Sequence, residues 1–283
     1  MAALAAAGAV LFGVVAFVIS QTAVDQSADD QVEGILLVDK HSGTLLVLAV
    51  LQAISTILLI GPLGYLYLCT RYRRPELPRI MRALVVAGPL LYGILFVARQ
   101  IAINAIADDV VPQLPLPPSR AEDLIDDKIT EGSFVVLSGL AFAGQIAVGG
   151  ALVLVSVNAR RAGLLSSFMG ILGIIVGVLF VLPLLGQLPV VQFFWVAALA
   201  ALFLNRWPSD RGPAWETGED DPWPTAAELR AEAEAEAVDD SDADRGEPVE
   251  EEYEEPAEEY EDEHGPAAPA HPRSKKRKRK RRR

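Results

Sequence analysis

The sequence predicts an all-α fold, a polytopic transmembrane helix bundle of about six spans over residues 1–206, followed by a disordered, charged C-terminal tail. Three observations lead there. First, 51% of the 283 residues are hydrophobic although the formal net charge is -12, and the two properties occupy different parts of the chain. Residues 1–206 hold 12 Lys and Arg against 13 Asp and Glu, whereas residues 207–283 hold 13 against 24. A nearly neutral apolar part ahead of an acidic polar one is the pattern of a membrane domain carrying a solvated extension. Second, uncharged apolar runs recur at the length needed to cross a ~30 Å hydrocarbon core, roughly 20 residues at 1.5 Å each. Third, the segments between those runs alternate in the sign of their charge.

Taken in order, the first run covers residues 2–20. It lacks the positive flank of a signal peptide and is longer than an h-region, so it reads as a retained span. The second, 44–69, contains Gly61 and Pro62, where a kink is expected. Spans three and four cover 83–107 and 133–157. The stretch 164–204 is too long for one crossing and is interrupted by Pro183, Gly186 and Pro189, so it divides into 164–185 and 188–204 around a tight turn at Gly186 and Gln187. Small residues on span four (Ala143, Ala147, Ala151) and span five (Gly170, Gly173, Gly177) are expected to let helix backbones approach closely.

The loop charges test this count independently. Arg71, Arg73, Arg74, Arg79 and Arg82 follow span two, Arg160 and Arg161 follow span four, and Arg206 follows span six. The alternate loops are acidic, with Asp25, Asp29, Asp30, Glu33 and Asp39 in one and Asp108, Asp109, Glu122, Asp123, Asp126, Asp127 and Glu131 in the other. Because Lys and Arg accumulate on the cytoplasmic side, both termini are expected there, in a multi-pass protein of the cell membrane. In the larger acidic loop, Ser119 and Glu122 have capping-box spacing ahead of Leu124, Ile125 and Ile129. That segment reads as an amphipathic helix lying on the membrane surface, or as a lid over a cavity.

After Arg206 come residues 207–272, an acidic tail rich in Pro, Glu and Ala with a short helix expected at 226–237, and then a basic block at 273–283. Trp207 reads as an interface anchor. Trp215 and Trp223, in P-A-W-E-T-G-E-D-D-P-W-P, are candidate docking residues for a cytoplasmic protein. The block Arg273, Lys275, Lys276, Arg277, Lys278, Arg279, Lys280, Arg281, Arg282, Arg283 suits anionic lipid, or RNA and the ribosome, without sequence preference. Its first competitor is the acidic segment beside it.

Chemistry-bearing groups are few. Arg99 is the one ionisable residue within a predicted span, and Gln100 and Asn104 accompany it. It reads either as a snorkelling anchor or as one member of a polar cluster with Gln145, and that cluster is the candidate site of a small-solute transporter or channel. Gln52 and Gln192 read as helix-joining amides. The spans hold no Asp, Glu or His, Cys69 is the single cysteine, and there is no phosphate-binding or dinucleotide loop. The chain is therefore read as a non-enzymatic anchor or scaffold with an interaction tail, requiring no cofactor or metal. The bilayer and a second copy of the chain are its other expected partners.

The stretch from Arg160 (R-R-A-G-L-L-S-S-F-M-G-I-L-G-I-I-V-G-V-L-F-V-L-P-L), taken with the Trp-Glu-Thr-Gly segment, resembles a group of actinobacterial multi-pass membrane proteins without an assigned activity. The resemblance implies a bacterial cell-membrane location and carries over no site residues.

Overall fold

The computed structural model describes residues 1–23, 28, 30–114, 116–182, 189–208 and 211–224, together with 227, 228, 230, 231 and 234. Every regular element among them is helical. The chain divides into two units, Met1–Thr225 and Ala226–Arg283. In the second unit, the described residues of the helix expected at 226–237 (Ala227, Glu228, Arg230, Ala231 and Glu234) are helical and exposed. The basic block and the turn expected at Gly186 and Gln187 lie outside the described residues.

In the first unit, four helical stretches are long and apolar enough to cross a membrane: Ala2–Thr22, Gln31–Arg73, Arg79–Gln113 and Gly132–Arg161. Two apolar helices, Ser167–Val181 and Val190–Phe203, are shorter. The helices are α1 (Ala2–Ala23), α2 (Gln31–Leu58), α3 (Ile60–Arg73), α4 (Arg79–Val110), α5 (Pro118–Ile129), α6 (Gly132–Arg161), α7 (Ser167–Val181), α8 (Pro189–Phe203) and a single turn, α9 (Pro213–Thr217). Helix α4 packs against both α2 and α6, α6 carries α7, and α1 packs on α2, α3 and α8.

Several boundaries differ from the sequence expectation, each for a local reason. Helix α2 begins at Gln31, thirteen positions before the apolar run, because Asp30 caps it, accepting the Glu33 N–H at 2.7 Å. Thus most of the acidic segment expected as loop is an extension of the span. Near the Gly61 and Pro62 expected to kink the span, the helix is interrupted at Leu59, between α2 and α3, while the non-helical backbone within α2 is at His41. Pro62 has no N–H to give and its ring crowds the carbonyl of the residue four positions back, so the ladder breaks ahead of the proline rather than at it.

Helix α6 ends at Gly163, whose φ of 68° is left-handed. The Leu164 N–H reaches the Ala159 oxygen at 2.9 Å and the Gly163 N–H that of Arg160 at 3.1 Å, a Schellman pair that satisfies carbonyls orphaned by the helix end. Asn205 closes α8 in the same way, with Arg206 bonding to Ala201 and Asn205 to Leu202.

Helices α6 and α7 meet through Gly149 and Gly177. A Cβ on Gly149 would stand 2.7 Å from the Gly177 oxygen, and one on Gly177 would stand 2.8 Å from the Gly149 oxygen. The α7 side of this contact belongs to the expected glycine series. On α6 the contact uses Gly149 instead of the alanine series, in which Ala143 is exposed.

The amphipathic segment forms α5, but the Ser119–Glu122 capping box does not. The helix starts one residue earlier on Pro118, with Pro117 as its cap and no side-chain cap bond. Its apolar face is covered by protein. Ile125 is buried with Ile35, Ala107 and Val110, and Leu124 and Ile129 pack around them. This satellite core joins the extended ends of α2 and α4, and Lys128 pairs with Asp109 of α4 at 2.5 Å. That carboxylate accepts a hydrogen bond from the Lys128 ammonium and holds its pKa above the ordinary 10.5.

Candidate functional site

Two regions gather the polar groups that the apolar helices leave available. The first lies where α3, the end of α8 and the turn between α6 and α7 meet the segment after α8, at the end of the bundle bearing the arginine-rich turns. After α8 the chain folds back so that α9 lies against this basic end. Ala214 is fully buried, and Trp215 donates its Nε1–H to the Leu164 oxygen at 2.8 Å. The indole is stacked on Tyr65 at 6.0 Å and 22°, with Phe203 tilted against it at 6.4 Å. The Arg73 and Arg211 guanidinium carbons stand 5.8 and 5.7 Å from the ring centre, within cation–π range.

The same arginines bond backbone carbonyls, Arg211 capping the end of α8 and Arg73 joining α3 to the segment around α9. Arg73 donates through Nη1 to the Cys69 oxygen of its own helix at 3.1 Å and through Nε to the Ala214 and Glu219 oxygens at 3.1 and 3.2 Å, and its Nη2 also reaches Ala214. Arg211 donates through Nε to the Leu202 oxygen at 3.0 Å and through Nη2 to that of Phe203. The last carbonyls of a helix have no partner within it, and a guanidinium with five donors is suited to supply one. Gly163 is essential here for a second reason, since the Asp221 carbonyl lies where its Cβ would be. Arg74 and Asp220 form a half-exposed ion pair at 3.5 Å, a minor contribution.

Trp215, expected as a docking residue, is half-buried, with its N–H bonded to Leu164 and its ring packed with Tyr65, Phe203, Arg73 and Arg211. Trp223 packs beside Gly212, and its indole N–H is buried with no hydrogen-bond partner among the described residues. Trp207 packs against the main core. No sequence signal pairs Arg73, which reads as one of the loop cations after span two, with Arg211, which falls in the acidic tail.

The second region is a chamber of about 540 Å³ lined by residues of α1, α2, α4, α6, α7 and α8. It lies toward the acidic end. Below it, toward the basic end, the bundle is filled by Leu59, Leu63, Leu152, Val155, Trp195 and Leu199, none more than 1% exposed. Trp195 is anchored there by its Nε1–H, which donates to the Met169 oxygen at 3.0 Å.

The expected cluster of Arg99, Gln100, Asn104 and Gln145 is only partly assembled. Gln100 and Gln145 line the chamber. Asn104 does not; it accepts from Gln100 Nε2 at 2.9 Å and donates to the Ser42 oxygen at 3.2 Å, tying α4 to α2 beside the non-helical His41. Gln145 donates to the Phe180 oxygen at 2.7 Å, joining α6 to α7. Arg99 is exposed, its guanidinium 5.8 Å from the Phe134 ring centre, and it is not among the residues that line the chamber. A cation on a helix exterior gains more from an aromatic face and the headgroup region than from an apolar interior.

The expected cluster missed Gln52 and Gln192, which also line the chamber. Neither side chain has a hydrogen bond among the described residues, unlike the helix-joining amides they were expected to be. The signal available was one glutamine in each of four spans, and only packing shows that the four face one space. The described residues contain no group of His, Cys, Asp and Glu arranged to hold a metal ion.

No family model, curated protein or solved structure matches the chain.

Proposed function

We propose that the chain is a non-enzymatic, multi-pass protein of the cell membrane whose helix bundle anchors a cytoplasmic interaction tail. In this reading the basic end faces the cytoplasm, since Lys and Arg are retained on that side. The amino terminus and the tail then both lie there, and α7 and α8 complete six crossings. Each of these two helices rises only ~22 Å, so the pair either crosses a locally thinned bilayer or turns back within it. Helix α7 begins and α8 ends at the basic end in both cases, so the side of the tail is unaffected.

The observation that carries the anchoring role is the seating of Trp215 between Arg73 and Arg211. It ties the chain to the bundle after the last helix, giving the following tail a fixed point of departure. Partner binding then passes from the Trp-Glu-Thr-Gly segment to the tail itself, where the basic block has the charge to engage anionic lipid or RNA. The test is deletion of residues 273–283, followed by co-sedimentation with anionic liposomes and with ribosomes at low and moderate salt. Binding unchanged by the deletion ends that role, and cleavage of the tail by protease added outside sealed cells ends the topology.

The transporter or channel reading has against it the packed half of the bundle beneath the chamber, which offers no aqueous continuation toward the basic end.

A further inference from the structure

The chamber on the acidic side of Trp195 is, we propose, a binding site for an uncharged molecule with a flat, unsaturated ring that carries hydrogen-bonding oxygen. The inference stands on the chamber alone and not on the role given to the tail.

Its walls exclude charge. No Asp, Glu, Lys, Arg or His is among the described residues lining the chamber, and Arg99, the cation of α4 at this depth, stands 5.8 Å from the Phe134 ring centre. An ion entering would give up its hydration without meeting a counter-charge, which disfavours every charged solute. The volume of about 540 Å³ falls within the roughly 300–1,000 Å³ of small-molecule sites, which combine apolar and aromatic walls with a few placed polar groups.

The polar groups here are four amides, with the Ser20 hydroxyl and the Tyr92 phenol beside them. Gln100 and Gln145 are held in place by Asn104 and by the Phe180 carbonyl. Gln52 and Gln192 line the same space with donors and acceptors that no described residue engages. A carboxamide offers both N–H and C=O, so its complement is a neutral carbonyl or hydroxyl. Leaving such groups unsatisfied in an apolar chamber is unfavourable, and a ligand oxygen relieves it. The aromatic walls favour a planar ring over a saturated chain: the Tyr92 ring lies 5.5 Å from Phe96 and 5.3 Å from Phe180, and Phe17 and Phe193 line the space with them.

The experiment uses the full chain in lipid nanodiscs and benzophenone, a neutral diaryl ketone that crosslinks on illumination, with insertion sites mapped by mass spectrometry. Insertion is expected in the peptides containing Phe96, Phe180 and Phe193. The double variant Gln52→Leu/Gln192→Leu is expected to lower it about tenfold, the equivalent of losing two neutral hydrogen bonds, with the melting temperature unchanged because neither amide supports the fold. Ala49→Phe, which fills the chamber, is expected to abolish it; should that variant fail to fold, the glutamine pair carries the test. Benzophenone-4-carboxylate is expected to label at least tenfold less than the neutral ketone. A phospholipid bearing benzophenone at the end of an acyl chain distinguishes the source. Labelling by it assigns entry from the bilayer, labelling by the free ketone alone assigns entry from water, and both outcomes support the site. Insertion scattered over helix exteriors and indifferent to the substitutions, or equal labelling by the carboxylate, overturns it.

Discussion

The indole of Trp215 donates a hydrogen bond to the carbonyl oxygen of Leu164, at 2.8 Å and 51 residues earlier in the chain. That oxygen belongs to the turn between α6 and α7, so the bond fastens the segment after the last helix to the turn between two earlier ones. Trp215→Ala removes the bond, the Tyr65 stacking and both cation–π contacts. For a part-buried ring the loss should be about 2–3 kcal/mol, below the 3–5 of a fully buried one. Trp215→Phe keeps the aromatic contacts and should cost about 1 kcal/mol. Melting in detergent, together with limited proteolysis between residues 208 and 225, checks the pair: cleavage should rise sharply for Ala and little for Phe.

At the α6–α7 contact two adjacent glycines should respond oppositely. Gly149→Ala sets a methyl 2.7 Å from the Gly177 carbonyl oxygen and against the Val181 side chain, forcing the helices apart at a cost of about 1–3 kcal/mol. Gly150 has open space at its Cβ position. Gly150→Ala should be neutral or stabilising by up to about 1 kcal/mol, through helix propensity. Thermal melting of the two variants side by side decides it, and equal destabilisation would mean that the backbones do not touch there.

Arg99 offers a simple contrast between an exterior and an interior role. Stacked on Phe134, it should contribute about 0.5–1 kcal/mol, and a double-mutant cycle of Arg99→Leu with Phe134→Leu should recover that coupling. A cycle of Arg99→Leu with Gln145→Leu should show none. Significant coupling in the second cycle would restore Arg99 to the chamber.

The satellite core should loosen without the rest of the bundle. Ile125→Ala, at a position 1% exposed, should cost about 2 kcal/mol or more and raise hydrogen exchange across Pro118–Ile129 while leaving α6 protected. The Lys128–Asp109 pair has a defined pH window. Because the lysine pKa is raised in the folded chain, its contribution is complete below the ordinary value of 10.5 and is lost as pH rises through the higher folded value. Exchange in α5 should therefore be insensitive to the pair's titration at neutral pH, once intrinsic rates are corrected, and should increase only above about 10.5. A Lys128→Met variant should remove that alkaline transition.

Much of this architecture was legible because its causes are local. Length and the absence of charge mark α1, α4 and α6 within a few residues of where they lie, and Pro62 marks the break between α2 and α3 to within three. The start of α2 was not legible from hydropathy, because a helix cap rather than an apolar run sets it: Asp30 begins the helix while the chain is still polar. The chamber was half legible. Gln100 and Gln145 could be singled out as polar groups in apolar runs, but Arg99 has the same credentials and points outward, and Gln52 and Gln192 resembled routine helix-joining amides.

By itself the sequence determined the helical class, the segments able to cross a membrane, the segregation of acidic from basic turns, and the want of charge along the apolar helices. These follow from composition and from a periodicity that each helix expresses alone. The tertiary structure alone decided that four glutamines from four helices face one space, that α5 covers protein, and that Trp215 is enclosed by two arginines far apart in the chain. The physical reason is that the direction of a side chain within a bundle depends on how each helix is rotated against its neighbours. That rotation is set by close contacts such as Gly149 on Gly177, which link residues distant in the chain and leave no mark on the stretch around either.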